Sequence, residues 1–193
     1  MTILTYKMLV IGLSAGGTPL IKRLLAALPV DYSLAVAIVA HLPQGYESSL
    51  AQQLDALTDL PVTEARDKEP IVAGHVYVAP PDYHLLVEKN RPFTFALSED
   101  DPVKSVRPSI DLLFSSAAEV FGASLIAVIL SGANADGADG MAVVKELGGL
   151  CIALDPLEAE FSAMPDATIH QVDVDYIVSL EEIISLLISV DEK

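Results

Sequence analysis

A serine flanked by small residues is the first feature of this chain that suggests chemistry. The run Gly12-Leu13-Ser14-Ala15-Gly16-Gly17 stands where an apolar stretch hands over to an amphipathic one. A tight strand-to-helix turn there lifts the Ser14 hydroxyl to the carboxyl edge of a sheet. Small neighbours admit a substrate, and helix N-terminal amides face developing negative charge. The run also fits the G-x-S-x-G pattern of a nucleophile elbow. By itself it suits equally a glycine-rich turn that binds phosphate or only packs.

Two further residues complete an acyl-transfer set. His41, in Ala40-His41-Leu42-Pro43, ends a second apolar run. Adjacent parallel strands put their ends side by side, so His41 can reach Ser14. An imidazole titrates near neutrality and suits a general base, although a strand-end histidine can also be held by backbone alone. His75, His84 and His170 are its competitors. The third segment, Leu130 to Gly140, follows the most apolar run and is crowded with Ser, Gly, Asn and Asp. An aspartate there can fix the imidazole tautomer and stabilise the imidazolium. Asp136 and Asp139 both qualify. Their plainer roles are an Asx turn for Asp136 and a helix cap for Asp139.

Positioning these groups takes alternating strands and helices. Residues 7–13 and 34–40 read as apolar strands, and 18–28 and 48–57 as helices with one apolar face. The opening β-α-β-α predicts a parallel sheet covered on both sides. Three short runs follow, 75–79, 84–88 and 93–97, separated by Pro80-Pro81-Asp82 and Asn90-Arg91-Pro92. Their close spacing predicts antiparallel pairing, with His75 and His84 in the insert. The α/β rhythm then resumes: helix 108–121, strand 125–130, helix 139–147, strands 150–154 and 176–178, and helix 181–188. Between these, 166–169 is a short segment of unassigned type that leaves His170 unplaced. The expected fold is one doubly wound α/β domain over residues 1–193, with a mostly parallel sheet and an antiparallel β-hairpin insert. Ser14, His41 and the loop that holds Asp136 and Asp139 all fall at carboxyl ends of strands, where open α/β sheets carry their sites.

Composition narrows the partners. The formal net charge is −16, from 27 acidic and 11 basic residues, which argues against nucleic acid and against anionic membrane surfaces. No apolar run is long enough to cross a bilayer, and the first residues lack a secretory signal pattern, so membrane insertion is not expected. The single cysteine, Cys151, cannot form an internal disulfide, which fits a cytoplasmic location. The proposed chemistry requires no metal or cofactor.

The segments together resemble the catalytic domain of the chemotaxis protein-glutamate methylesterases, the CheB family. The resemblance rests on Val10-Ile11-Gly12-Leu13-Ser14-Ala15-Gly16-Gly17, Ala40-His41-Leu42-Pro43, Arg107-Pro108-Ser109-Ile110-Asp111-Leu112-Leu113-Phe114 and Leu130 to Gly140. Ala153-Leu154-Asp155 and Ala163-Met164-Pro165 extend it. It implies a Ser14–His41–Asp136 triad, with Asp136 rather than Asp139 as the carboxylate. The implied reaction is hydrolysis of glutamate methyl esters on chemoreceptor cytoplasmic helices, often with deamidation of receptor glutamines. A separate receiver or methyltransferase protein is an expected partner. The pattern departs from the family's at Ala15, where Thr is frequent, and at Ala133 and Asn134, where Met and Gly are usual. No receiver domain precedes the first strand, so activity without phosphorylation is expected. Arg107 either attracts carboxylates flanking the target or stands in solvent before its helix. Rival readings are an α/β-hydrolase using Ser14, Asp136 and His170, a nucleotide-binding module, and a non-catalytic receptor-binding relative.

Overall fold

Alternate residues of the central strand diverge to two separate cores. In β1 (Met8–Leu13), Leu9, Ile11 and Leu13 enter one apolar cluster, while Met8 and Val10 enter another. A period of two with both faces apolar is what a strand buried on both sides requires. The computed structural model describes residues 6–41 and 49–191. The sheet contains β1, β2 (Ala35–Ala40), β3 (Val62–Glu64), β4 (Val76–Val78), β7 (Leu125–Ile129), β8 (Leu150–Leu154) and β9 (Tyr176–Val178). Their spatial order is β3-β4-β2-β1-β7-β8-β9, and every pair is parallel.

Helices α1 (Gly17–Ala27), α2 (Leu50–Asp55) and α6 (Leu180–Asp191) cover the first face. They contribute Ile21, Leu24, Leu50, Leu54, Ile183 and Leu187 to its core. Helices α3 (Ile110–Phe121), α4 (Ala138–Glu146) and α5 (Ala163–Gln171) cover the other face. With them lies the hairpin of β5 (His84–Glu88) and β6 (Thr94–Ser98), a separate antiparallel pair. Leu113, Phe114, Met141 and Met164 fill this second core together with Leu85 and Phe95 of the hairpin. Burying each such side chain is worth about 1.5–3 kcal/mol. The chain builds outward from β1 through β2, then crosses to β7 on the opposite side. The carboxyl ends of β1 and β7 therefore meet at the point where strand order reverses, the usual location of a site in such sheets.

The expected doubly wound fold with a hairpin is present, with three corrections. The run 75–79 is not part of the hairpin: Val76–Val78 is β4 of the main sheet, parallel to β2 and β3. All three β4 residues are buried, and that two-sided burial outweighs its closeness in sequence to β5. His75 accordingly lies outside the insert, stacked on Tyr77 and bonded to Thr63 on β3. Residues 166–169 belong to a full helix, α5. Helix α3 starts at Ile110, after Pro108, because Ser109 is still extended. Of the expected segments, Leu42, Pro43 and Ser48 lie outside the described residues.

Candidate active site

The turn at Ser14 is fixed by its own backbone. Ser14 N–H donates to Ser131 O at 2.9 Å, and Gly17 N–H donates back to Ser14 O at 3.0 Å. Gly16 adopts φ of 75°, and a Cβ there would lie 2.7 Å from Glu160 Cβ and 2.8 Å from Ser131 Oγ. Only glycine satisfies both the conformation and the space. Ser131 Oγ donates to Ala15 O at 2.8 Å and accepts from Phe161 N–H at 3.0 Å, tying the turn to the loop after β8. The N–H groups of Ala15 and Gly16 have no acceptor among the described residues. They lie just before helix α1, at the end where the helix dipole favours negative charge.

The next strand end supplies the histidine. Leu13 and Ala40 are paired in register, and His41 N–H donates to Leu13 O at 3.0 Å. Ser14 and His41 are thus the first residues beyond two hydrogen-bonded strands. His41 Nε2 stands 3.0 Å from Asp136 Oδ2. The histidine side chain is 9% exposed and the aspartate fully buried. A carboxylate can only accept, so Nε2 carries the proton and Nδ1 presents its lone pair. Asn134 Nδ2 lies 3.3 Å from that Nδ1. No hydrogen bond joins Ser14 Oγ to His41 among the described residues.

Asp136 is held by the start of a helix. Ile110 N–H donates to its Oδ2 at 2.6 Å, and Ser109 Oγ and Asp111 N–H donate to Oδ1 at 3.0 and 3.2 Å. Burial alone would raise its carboxyl pKa. The bonds from His41 and from Ile110 N–H outweigh that and hold it below the usual carboxylate range. Asp111 returns the arrangement. Its Oδ1 accepts from Gly137 and Gly140 N–H, both at 2.8 Å, which caps α4. Each helix N-terminus therefore binds a carboxylate from the other's segment. Burial pushes the Asp111 carboxyl up, opposed by Lys104 and by Gly140 N–H. Lys104 Nζ lies 2.8 Å from both Asp111 Oδ2 and Asp139 Oδ2. Gly140 is needed for the close approach, because a Cβ there would stand 2.7 Å from Asp111 O.

The other candidates lie elsewhere. Asp139 is exposed and bonded to Gln171 and Lys104. His84 is buried, with Nδ1 accepting from Ser109 N–H at 3.1 Å and Nε2 near Asp101 O. It braces the chain just before α3. His170 is exposed on α5, against Asp166 O. Arg107 is not free in solvent: its Nη1 donates to Glu99 O and Asp100 O. Sequence reasoning assigned no role to Ser109, Ile110, Ser131 or Lys104. A Ser–Ile–Asp step before an apolar helical run does mark a helix N-terminus, and hence an anion receptor. Nothing in the sequence said which anion it receives.

Comparison with known proteins agrees with this architecture. The family model described as CheB methylesterase matches residues 9–187. A Leptospira interrogans protein, named putative protein-glutamate methylesterase/protein-glutamine glutaminase, is 44% identical over 98% of this chain and 97% of its own length. A Thermotoga maritima protein-glutamate methylesterase/protein-glutamine glutaminase is 37% identical over 94% of this chain and 53% of its own. The crystal structure of the Thermotoga maritima CheB methylesterase catalytic domain superposes with a TM-score of 0.92. It is 35% identical and covers 96% of this chain and 98% of that one. With family match, global identity and fold in agreement, this chain belongs to the CheB methylesterase family.

Proposed function

We propose that the chain hydrolyses glutamate methyl esters on chemoreceptor cytoplasmic helices, with Ser14 as nucleophile, His41 as general base and Asp136 as its orienting carboxylate. The observation that carries this reading is the 3.0 Å contact of His41 Nε2 with the fully buried Asp136, at the strand end beside Ser14. Asp136 keeps the Nε2–H tautomer and stabilises the imidazolium, which leaves Nδ1 to take the Ser14 proton. Ser14 Oγ then attacks the ester carbonyl. The unengaged amides of Ala15 and Gly16 are donors for the oxyanion. Protonated His41 returns its proton to the departing methoxide, and methanol leaves. Water, deprotonated at Nδ1, attacks the acyl-enzyme; the serine oxygen takes the proton back and glutamate is freed. A receptor glutamine can follow the same course, with ammonia leaving.

Among the described residues no helix is long and apolar enough to cross a membrane. A cytoplasmic location and separate receiver or methyltransferase partners belong to the same proposal. Incubation with a fluorophosphonate tests it, with the modified peptide located by mass spectrometry. Labelling at Ser14 supports the triad, whereas an inert serine would favour a receptor-binding relative without catalysis.

A further inference from the structure

The free nitrogen of the base faces a side-chain amide. Asn134 Oδ1 accepts Asp136 N–H at 3.1 Å, which settles the amide's orientation and turns Nδ2 towards His41 Nδ1 at 3.3 Å. Asp136 accepts the hydrogen bond from Nε2–H, so Nδ1 has one in-plane lone pair and Asn134 donates into it. Ser14 must donate to the same lone pair to be activated. The two donors therefore exclude one another. At 3.3 Å the amide bond is long and readily displaced.

We propose that Asn134 is a positioning residue that latches the resting base: it occupies His41 Nδ1 in the free enzyme and is displaced when Ser14 is engaged. The inference rests on the assignment of Ser14 and His41 as nucleophile and base. Asn134 lies on the loop after β7 and is half-buried, while Asp136, at the opposite ring nitrogen, is fully buried. Other charged groups surround the pair at greater remove. Asp111 stands behind Asp136, with Lys104 upon it, and Glu160 lies beside Gly16 across the nucleophile turn. Nothing charged competes with the amide at Nδ1 among the described residues.

The latch restrains only the free enzyme, so its removal raises kcat/KM and leaves kcat unchanged. Asn134→Ala deletes the donor and the loop anchor together. Asn134→Asp keeps an acceptor for Asp136 N–H but turns a carboxylate oxygen towards Nδ1, which favours the protonated imidazole.

The test is the second-order rate of Ser14 phosphonylation by a small fluorophosphonate, with methyl-ester hydrolysis followed across pH for the same variants. Asn134→Ala should label about 2- to 12-fold faster than wild type, the factor expected for one net hydrogen bond. It should hydrolyse ester with a lower KM at constant kcat. Asn134→Asp should move the acid limb of kcat/KM to higher pH. If Asn134 only anchors its loop, the alanine variant labels more slowly than wild type at every pH. If Asn134 is an oxyanion donor, the alanine variant loses kcat. Either result overturns the latch while leaving the Ser14 assignment intact. A wild-type protein that does not label at Ser14 overturns that assignment, and the latch with it.

Discussion

Replacing Asp136 by Asn separates the charge of this residue from its shape. The carboxylate accepts four bonds: His41 and Ile110 N–H at Oδ2, and Ser109 Oγ and Asp111 N–H at Oδ1. An asparagine must place its NH2 on one side. The Oδ1 side costs least, because the Ser109 hydroxyl can rotate to accept, leaving only Asp111 N–H without a partner. The bonds to His41 and Ile110 then survive and the tautomer is kept. The negative charge beside the imidazolium is lost. For charges about 4 Å apart in an effective dielectric of about 20, that charge is worth roughly 4 kcal/mol. This corresponds to about a 10³-fold fall in kcat/KM. The orphaned amide costs a further ~1–3 kcal/mol of stability. Methanol release from a methylated receptor fragment and a thermal melt measure the two effects separately. Asp139→Asn, at an exposed residue, should leave the rate within about twofold, since exposed ion pairs are worth only ~0–1 kcal/mol. An Asp136→Asn rate within tenfold of wild type, or an Asp139→Asn variant that is slower, would refute the reasoning.

Further outcomes follow from the same geometry. In a substrate-limited assay, kcat/KM should fall at acid pH if His41 is the base, since a protonated imidazole cannot accept the Ser14 proton; a profile with no acid limb would count against it. The Asp136 carboxyl is held below its ordinary range, so its stabilisation is present above the unfolded-state value and is lost as pH falls through the folded one. Chemical denaturation should show wild type losing more stability than Asp136→Asn between pH 5 and pH 3; equal losses would contradict that sign. Gly140→Ala forces a Cβ against the Asp111 backbone and should cost about 1–3 kcal/mol on denaturation, with reduced activity because Asp111 and Asp136 cap neighbouring helices. An unchanged midpoint would mean that the two helices can separate freely.

Much of this fold was readable because buried parallel strands are continuous apolar runs. β1, β2, β7 and β8 stand within a residue of where their Val, Ile, Leu and Ala predict them. The errors fell on short elements. β3, which no apolar pattern marks as a strand, and β4 have three residues each, too few for a period to emerge, and spacing alone groups β4 with the hairpin although it pairs with β2 and β3. Helix α5 contains a proline and only a weak apolar stripe, with Met164, Pro165 and Thr168 buried, so periodicity could not reveal it. Within the site, strand-end placement marks Ser14, His41 and the loop that holds both Asp136 and Asp139. The choice between Asp136 and Asp139 came from resemblance, since both sit in the same polar loop. What separates them physically is the exchange of caps between α3 and α4, a contact between segments 25 residues apart in sequence. The amide of Asn134 at Nδ1 was equally invisible, because it depends on a side-chain torsion and on one bond to Asp136 N–H.

All of these rate outcomes depend on cleavage of glutamate methyl esters through Ser14. The most direct measurement is methanol released from a methylated chemoreceptor fragment by the purified chain and by Ser14→Ala, with circular dichroism of both to verify folding. Wild type should release methanol catalytically, and a folded Ser14→Ala variant should do so at least ~10³-fold more slowly. Release surviving near the wild-type rate in that variant would contradict cleavage through Ser14.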